Sequence, residues 1–353
     1  LMKIIVVAGG TGGHVYPALS VARVFKENSA EVIWVGRTKS LEEGIAREEG
    51  FNFITLSVSG FLGKKFIEKI KAIFELCVAY IKAIYILISI KPDAIFSTGG
   101  YISLPIGLAA PLLRIPLFIH EQNSVAGLSN RILNKFSRIT FEGFPETFKA
   151  DNRTEFVGNP LRGELFNESQ VVSKISQEFN ILVLGGSQGS SQLNKIFIQA
   201  LEEAEDYEHW NIVHQSGPTD FPSLKQAYLG LSIKHEVLDY IKNIGQEYEK
   251  ADLIIARSGA MTISEIAAFG KASILMPLPW ATDNHQYYNA LYLKSLGGAE
   301  IVESKLDNSS SLLDLISNIE KDTKRREEMG LNAKKAFSTS SVKDIYKIIN
   351  EKI

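Results

Sequence analysis

Two glycine-rich turns, set about half a chain apart, constrain this chain more than any other feature. The first, Gly9-Gly10-Thr11-Gly12-Gly13-His14, follows the apolar run Ile4–Ala8 and leads into a helical pattern from Pro17 to Phe25. The second, Gly185-Gly186-Ser187-Gln188-Gly189-Ser190, follows Ile181–Leu184 and leads into another, Asn194 to Leu201. Each is a buried strand, a tight turn and a helix N-terminus. That arrangement aims backbone N–H groups and the positive end of a helix dipole at one spot, which favours an anion. One such turn is weak evidence. Two of them predict an α/β chain of two Rossmann-like domains with parallel sheets facing a cleft, each able to hold a phosphate. Neither copy keeps the dinucleotide fingerprint: Gly10-Thr11-Gly12-Gly13-His14-Val15 closes on histidine and valine where the pattern closes on any residue and glycine. No P-loop sequence is present either, which disfavours a nucleoside triphosphatase.

The length of 353 residues allows two domains of ordinary size, and 45% apolar with 22% charged residues is a globular balance. A net charge of −2 argues against a general nucleic-acid binder. The single cysteine, Cys77, rules out an internal disulfide framework and fits a reducing cytoplasm. Its place in an apolar helical stretch reads as buried filler. Met2-Lys3 runs directly into the first strand, with no sign of a secretory leader. The stretch Phe66–Ile90 is apolar but broken by Lys69, Lys71, Glu75 and Lys82. It reads as a long amphipathic helix, not as the ~20 unbroken apolar residues of a membrane span. Just before it, Phe61-Leu62-Gly63-Lys64-Lys65-Phe66 sets aromatics beside lysines, a composition suited to an anionic lipid surface. A core helix with a solvated lysine face is the alternative.

Strand-like runs and helical patterns alternate through the chain. Strands are expected at Ile4–Ala8, Val32–Val35, Ala94–Ser97, Leu117–His120 and Ile139–Phe141, then at Ile181–Leu184, Ile212–Gln215, Lys234–Val237, Leu253–Ala256 and Ser273–Met276. The alternation breaks after Gly158-Asn159-Pro160-Leu161-Arg162, and Glu164–Glu178 reads as a linker. An N-terminal domain over 1–160 and a C-terminal domain over 161–338 follow, with a final helix at about 339–353 crossing back to the first.

Ligands of open α/β sheets bind at the carboxyl ends of strands, and the unusual polar clusters fall there: Thr98–Tyr101, His120–Asn123, Arg257–Ala260 and Asp283–Gln286. His14, flanked by glycines, is the first general-base candidate, because histidine titrates near neutral pH. Glu121 is the rival base; its other reading is a structural carboxylate. Arg257 could hold an anion, and Arg162 could reach a diphosphate from the joint between domains. Glu265 could accept two ribose hydroxyls. Asn123 and Gln286 are neutral amides suited to sugar hydroxyls and acetamido groups. No metal-ligand spacing is present, which favours a reaction without a metal.

Taken in order, Gly9–His14, Gly99-Gly100-Tyr101, His120-Glu121-Gln122-Asn123, Gly158–Arg162, Gly185–Gly189, Arg257-Ser258-Gly259-Ala260 and Asp283-Asn284-His285-Gln286 resemble the MurG family over nearly the whole chain. These are bacterial N-acetylglucosaminyltransferases of the GT-B architecture that convert lipid I to lipid II in peptidoglycan synthesis. The resemblance implies UDP-N-acetylglucosamine as co-substrate, held mainly by the C-terminal domain, and no cofactor. Ile241 would meet the uracil through its backbone, and Glu265 would bind the ribose. Ser187, Gln188 and their loop, with Arg162, would hold the diphosphate. The helix start Ala260, Met261, Thr262, Ile263, Ser264 and Glu265 would line the nucleotide site. Asn123 and Gln286 would read the sugar, and Thr11, Gly12 and Gly13 would close over it. The acceptor diphosphate would lie near the first turn and Tyr101. His14 or Glu121 would take the proton as the acceptor's C4 hydroxyl attacks, inverting the anomeric carbon. The resemblance also implies a peripheral protein on the cytoplasmic face of the inner membrane, touching anionic lipid through Phe61–Phe66 and the helix after it, alongside other cell-wall synthesis proteins. His285 departs from the family, in which many relatives have paired glutamines. Other readings are a UDP-sugar 2-epimerase, a diacylglycerol glycosyltransferase, a non-catalytic scaffold and a nicotinamide oxidoreductase.

Overall fold

In a computed structural model of the chain, each glycine turn follows the strand at which its sheet reverses order. The structure describes all residues except 59–65, 151, 167–177, 187, 206 and 304–307, and the side chains of 66–70 lie outside the description as well. Two compact units result: residues 1–162 with 340–353, and residues 163–339.

Unit one runs β1 (Lys3–Ala8), α1 (Gly12–Glu27), β2 (Glu31–Gly36), α2 (Leu41–Glu48), β3 (Asn52–Thr55), α3 (Phe66–Ile90), β4 (Ala94–Gly99), α4 (Ser103–Leu112), β5 (Leu117–Glu121), α5 (Leu128–Leu133), β6 (Ile139–Glu142) and β7 (Thr154–Phe156). Its seven strands are parallel in the order β3-β2-β1-β4-β5-β6-β7. Successive β1 residues serve opposite faces. Ile4, Val6 and Ala8 pack with α1, while Ile5 and Val7 pack under α3 and α4. Burial on both sides is why the strand reads as an unbroken apolar run.

Unit two runs β8 (Phe179–Leu184), α6 (Ser191–Glu203), β9 (Trp210–Gln215), α7 (Phe221–Tyr228), β10 (Lys234–Leu238), α8 (Ile244–Lys250), β11 (Leu253–Ala256), α9 (Ala260–Phe269), β12 (Ala272–Leu275), α10 (His285–Ser295), β13 (Ala299–Ile301), α11 (Ser309–Lys321) and α12 (Thr323–Lys334). The order is β10-β9-β8-β11-β12-β13, again all parallel. The last helix, α13 (Ser341–Lys352), belongs to unit one. Ile345 and Ile349 join its core, Tyr346 meets Phe25 edge-on at 4.9 Å, and the Ser341 hydroxyl donates to the Val157 carbonyl at 2.6 Å.

Three features differ from the sequence reading. First, α1 starts at Gly12, five residues before Pro17, so His14 stands in its first turn. Pro17 is tolerated because it forgoes only the bond to the Gly13 carbonyl. Second, β3, β7 and β13 were not expected. All three are sheet edges of three or four residues, half-exposed, with only one partner strand each. Third, Cys77 is exposed, not buried. The buried stripe of α3 is Ala72, Ala79, Ala83 and Leu87, and position 77 falls on the opposite face. On that face Ile73, Phe74, Val78, Ile81, Tyr85 and Ile88 are also exposed. By length and composition Lys71–Ile90 is apolar enough to cross a membrane, with mean hydropathy 2.0, which the sequence reading had denied it. In the fold its stripe of small residues packs on α4 and the sheet.

Candidate active site

Polar side chains gather at the carboxyl ends of the central strands in each unit. In unit one the first glycine turn leaves β1 and abuts the turn after β4. Gly100 has φ +84°, and a Cβ there would lie 2.6 Å from the Gly9 carbonyl oxygen, so only glycine lets the two turns approach. Thr11 is the N-cap of α1, but no side chain caps the helix and its first turn holds no acidic residue. The dipole end is therefore left for an external anion.

His14 is clamped twice by Thr98. The Thr98 hydroxyl donates to the His14 carbonyl at 2.9 Å, and His14 Nδ1 lies 2.8 Å from the Thr98 carbonyl. Nδ1 is also 2.9 Å from Gln122 Oε1. A carbonyl only accepts, so Nδ1 carries the proton and the lone pair is on Nε2, which has no hydrogen-bond partner among the described residues. That is the tautomer of a base.

Glu121, the rival base, is 1% exposed and filled with donors. Oε1 accepts from the backbone and side-chain amides of Asn123, at 3.0 and 3.2 Å; Oε2 accepts from the Gly127 N–H and Asn130 Nδ2, at 3.0 and 2.9 Å. The carboxylate ties the 121–130 loop together and fixes Asn123, a structural task. Tyr101 is half-buried against the α3–α4 side of the core. Arg162 stacks its guanidinium over the Tyr16 ring, 4.3 Å from its centroid.

In unit two the second turn is tighter. Gly189 has φ +76°, and a Cβ there would collide with the Ser216 carbonyl. The α6 N-terminus has no side-chain cap and no acidic residue in its first turn, and the same holds for α9. Gln188 is exposed on the turn, and Ser187 lies outside the described residues. Arg257, expected to hold an anion, is bonded to the last residue of the turn. Only 5% exposed, it donates through Nε to the Ser190 hydroxyl at 2.8 Å and through Nη1 to the Met276 and Pro277 carbonyls at 2.8 and 3.2 Å. Burial lowers its pKa to about 10, so it stays a cation at neutral pH. It braces the α6 start against the end of β12.

Of the α9 start, Ala260, Ile263 and Ser264 face inward, whereas Met261, Thr262 and Glu265 are half-exposed. Glu265 Oε2 accepts the Tyr248 hydroxyl at 2.9 Å. The Ile241 N–H donates to Gln215 Oε1 at 3.0 Å, and Gln215 Nε2 donates to the Gly186 carbonyl at 2.8 Å. Gln215 thus ties the 241 loop to the glycine turn, a role its place as the last residue of β9 hints at and the sequence reading missed. Gln286 Oε1 accepts the Leu278 N–H at 3.0 Å, and His285 Nδ1 lies 2.8 Å from the Thr282 carbonyl. Both follow Asp283 and Asn284, which hold φ of 52° and 54°, a conformation their short polar side chains tolerate. Among the described residues no group of three or more His, Cys, Asp or Glu side chains is placed to hold a metal ion.

Two doubly wound units with uncapped helix starts at their switch points, one of them carrying an oriented histidine, fit a nucleotide-sugar transferase of the GT-B class. The comparisons narrow this class. Residues 4–141 match the glycosyltransferase family 28 N-terminal domain and residues 180–347 its C-terminal domain. The UDP-N-acetylglucosamine–N-acetylmuramyl-(pentapeptide) pyrophosphoryl-undecaprenol N-acetylglucosamine transferase of Coxiella burnetii is 36% identical, over 97% of this chain and 96% of its own. Its Pseudomonas putida counterpart is 37% identical over the same shares. The crystal structure of Acinetobacter baumannii MurG is 31% identical, with a TM-score of 0.84 over 99% of this chain and 100% of that one. The chain therefore belongs to glycosyltransferase family 28, on its MurG branch, and is a hexosyltransferase that uses a UDP-sugar. A UDP-N-acetylglucosamine 2-epimerase of Neisseria meningitidis, 13% identical with a TM-score of 0.70, shares the fold alone.

Proposed function

We propose that the chain transfers N-acetylglucosamine from UDP-N-acetylglucosamine to the C4 hydroxyl of the N-acetylmuramoyl-pentapeptide of a polyprenyl diphosphate, lipid I, yielding lipid II and UDP. The observation that carries this reading is the oriented His14 in the first turn of an uncapped helix. His14 Nε2 takes the proton of the attacking hydroxyl, whose oxygen bonds to the anomeric carbon from the face opposite the nucleotide. The bond from that carbon to the β-phosphate oxygen breaks, and UDP leaves with the electron pair. The configuration inverts in one displacement.

Charge that develops on the departing diphosphate meets the N-terminal N–H groups of α6, braced by Arg257 through Ser190. Glu265 takes the ribose hydroxyls, and the Ile241 carbonyl takes the uracil N–H, since the Ile241 N–H is given to Gln215. Met261 and Thr262 line the nucleotide site. Asn123, held by Glu121, and Gln286 read the sugar. Thr11, Gly12, Gly13 and Tyr101 receive the acceptor's diphosphate. In this reading the base is His14, and Glu121 acts only by positioning.

The acceptor lives in a bilayer, so the enzyme works at a membrane surface. The Phe61–Phe66 loop lies outside the described residues, apart from the backbone of Phe66, and the outer face of α3 after it suits that surface: Phe74, Ile81 and Tyr85 are two-thirds or more exposed, next to exposed Lys71 and Lys82. Replacing Phe74 and Ile81 by serine should weaken sedimentation with anionic vesicles and spare UDP binding. Retained sedimentation would remove this face from the account.

The deciding experiment follows UDP release from UDP-N-acetylglucosamine with and without a lipid I analogue. Release that requires the analogue and yields a β-1,4-linked disaccharide supports the reading. Release without any acceptor, or none with it while UDP-N-acetylglucosamine binds, overturns it.

A further inference from the structure

Three backbone carbonyls organise the side chains behind His14. His120 on β5 and Gln122, the residue after the strand, are buried, with 0% and 1% exposure. Both belong to the polar cluster at the end of β5, in which they alone have no task so far. His120 Nε2 lies 2.9 Å from the Gly158 carbonyl. Gln122 Nε2 lies 3.1 Å from His120 Nδ1 and donates to the His120 carbonyl at 3.1 Å. Gln122 Oε1 completes the row at His14 Nδ1.

A carbonyl oxygen only accepts, and that fact fixes every hydrogen in the row. The Gly158 carbonyl requires a proton on His120 Nε2, so His120 Nδ1 is a lone pair. The His120 carbonyl requires the NH₂ end of Gln122, which therefore also satisfies that lone pair. The amide oxygen then has to face His14. The Thr98 carbonyl independently requires the proton on His14 Nδ1, and the two demands agree. A flipped Gln122 would set donor against donor at His14 and acceptor against acceptor at the His120 carbonyl.

We propose that Gln122, held in one orientation by His120, is a positioning residue that keeps the His14 proton on Nδ1 and stabilises the imidazolium formed when Nε2 takes a proton. This rests on the reading of His14 as the base. Donating through both amide hydrogens polarises Gln122 and strengthens its oxygen as an acceptor. Burial keeps His120 neutral, lowering its pKa to about 4, so Nδ1 stays an acceptor at neutral pH. Glu121 beside it opposes that shift, and His14 adds to it. Asn159 secures the row from behind by donating to the Gln122 carbonyl at 3.0 Å.

The test is long-range ¹H–¹⁵N correlation on the ¹⁵N-histidine-labelled full chain, which reads the protonated nitrogen of each ring, combined with steady-state kinetics. In the unmodified chain His14 should show a proton on Nδ1 and a bare Nε2. Gln122→Met, which keeps the volume, leaves the Thr98 carbonyl as the one acceptor at Nδ1 and should thereby move a minor part of His14 to the other tautomer. It should lower kcat on the order of tenfold to a hundredfold with the donor KM unchanged. His120→Asn should do the same to a lesser degree, and it serves if Gln122→Met fails to bind UDP. An unchanged His14 tautomer with unchanged kcat in a variant that binds UDP overturns the proposal. Full activity of His14→Ala would instead overturn the base reading, whatever the tautomer shows.

Discussion

The two glycine turns are built alike and equipped differently. Both leave the central strand of a parallel sheet, both need positive φ, and both open a helix without a side-chain cap. The first ends on His14, whose Nδ1 is spent on Thr98 and Gln122. The second ends on Ser190, whose hydroxyl is spent on Arg257. Unit two has its own well-bonded histidine, His214, and the contrast is instructive. Asn194 donates its amide hydrogens to the Ser216 carbonyl and to Asp220, so its oxygen faces His214 Nε2 at 3.1 Å. The Tyr228 hydroxyl lies 3.0 Å from Nδ1. Both nitrogens of His214 are used up inside the core, while His14 keeps one turned outward. In the proposed function one backbone device thus serves chemistry in the first unit and binding in the second.

The largest expected effect breaks the first half of that comparison. His14→Ala should cost about 10²–10⁴-fold in kcat with the donor KM unchanged, read by UDP release. Next comes the brace of the second turn. Arg257→Met leaves the Met276 carbonyl and the Ser190 hydroxyl without their charged donor. It should destabilise unit two by about 2–4 kcal/mol in chemical denaturation and weaken UDP binding. The glycines come third. Gly100→Ala and Gly189→Ala each force a side chain into positive φ against a backbone carbonyl, at about 1–3 kcal/mol. Gly100→Ala should act on turnover and Gly189→Ala on donor affinity.

A single unit of acidification has the smallest effect. Burial lowers His120 to about 4 and His214 to about 3, against about 6.5 in the unfolded chain. Below about pH 6.5 the unfolded chain binds protons that the native state refuses, so stability falls as pH drops toward those lowered values. Each histidine contributes roughly 1.4 kcal/mol per pH unit in that window. Replacing His214 by Gln should flatten the slope of denaturation midpoint against pH for unit two alone.

Much of this was legible in the sequence, and the limits have physical causes. The doubly wound pattern could be read because central strands are buried on both faces and so appear as apolar runs. Three of the four sheet edges could not, because edge strands such as Asn52–Thr55 bury little and alternate weakly. His14 was readable as a polar residue placed where a strand and a glycine turn meet. Of Glu121 and Arg257 the sequence shows a charge but not its partners. Four N–H donors saturate the one, and two carbonyls and a hydroxyl take up the other. Gln122 and Gln215 were passed over for the matching reason: an amide acquires its task only when folding sets backbone carbonyls and N–H groups around it.

The division of labour between the turns is tested most directly by titrating UDP into two charge variants. Ser191→Asp sets a carboxylate in the first turn of α6, where it favours the helix and repels a diphosphate. Gly13→Asp does the same in α1, at a glycine with ordinary φ and room for a side chain. The account predicts that Ser191→Asp weakens UDP binding by about tenfold or more while Gly13→Asp leaves it unchanged. Equal loss in both, or loss in Gly13→Asp alone, would contradict it.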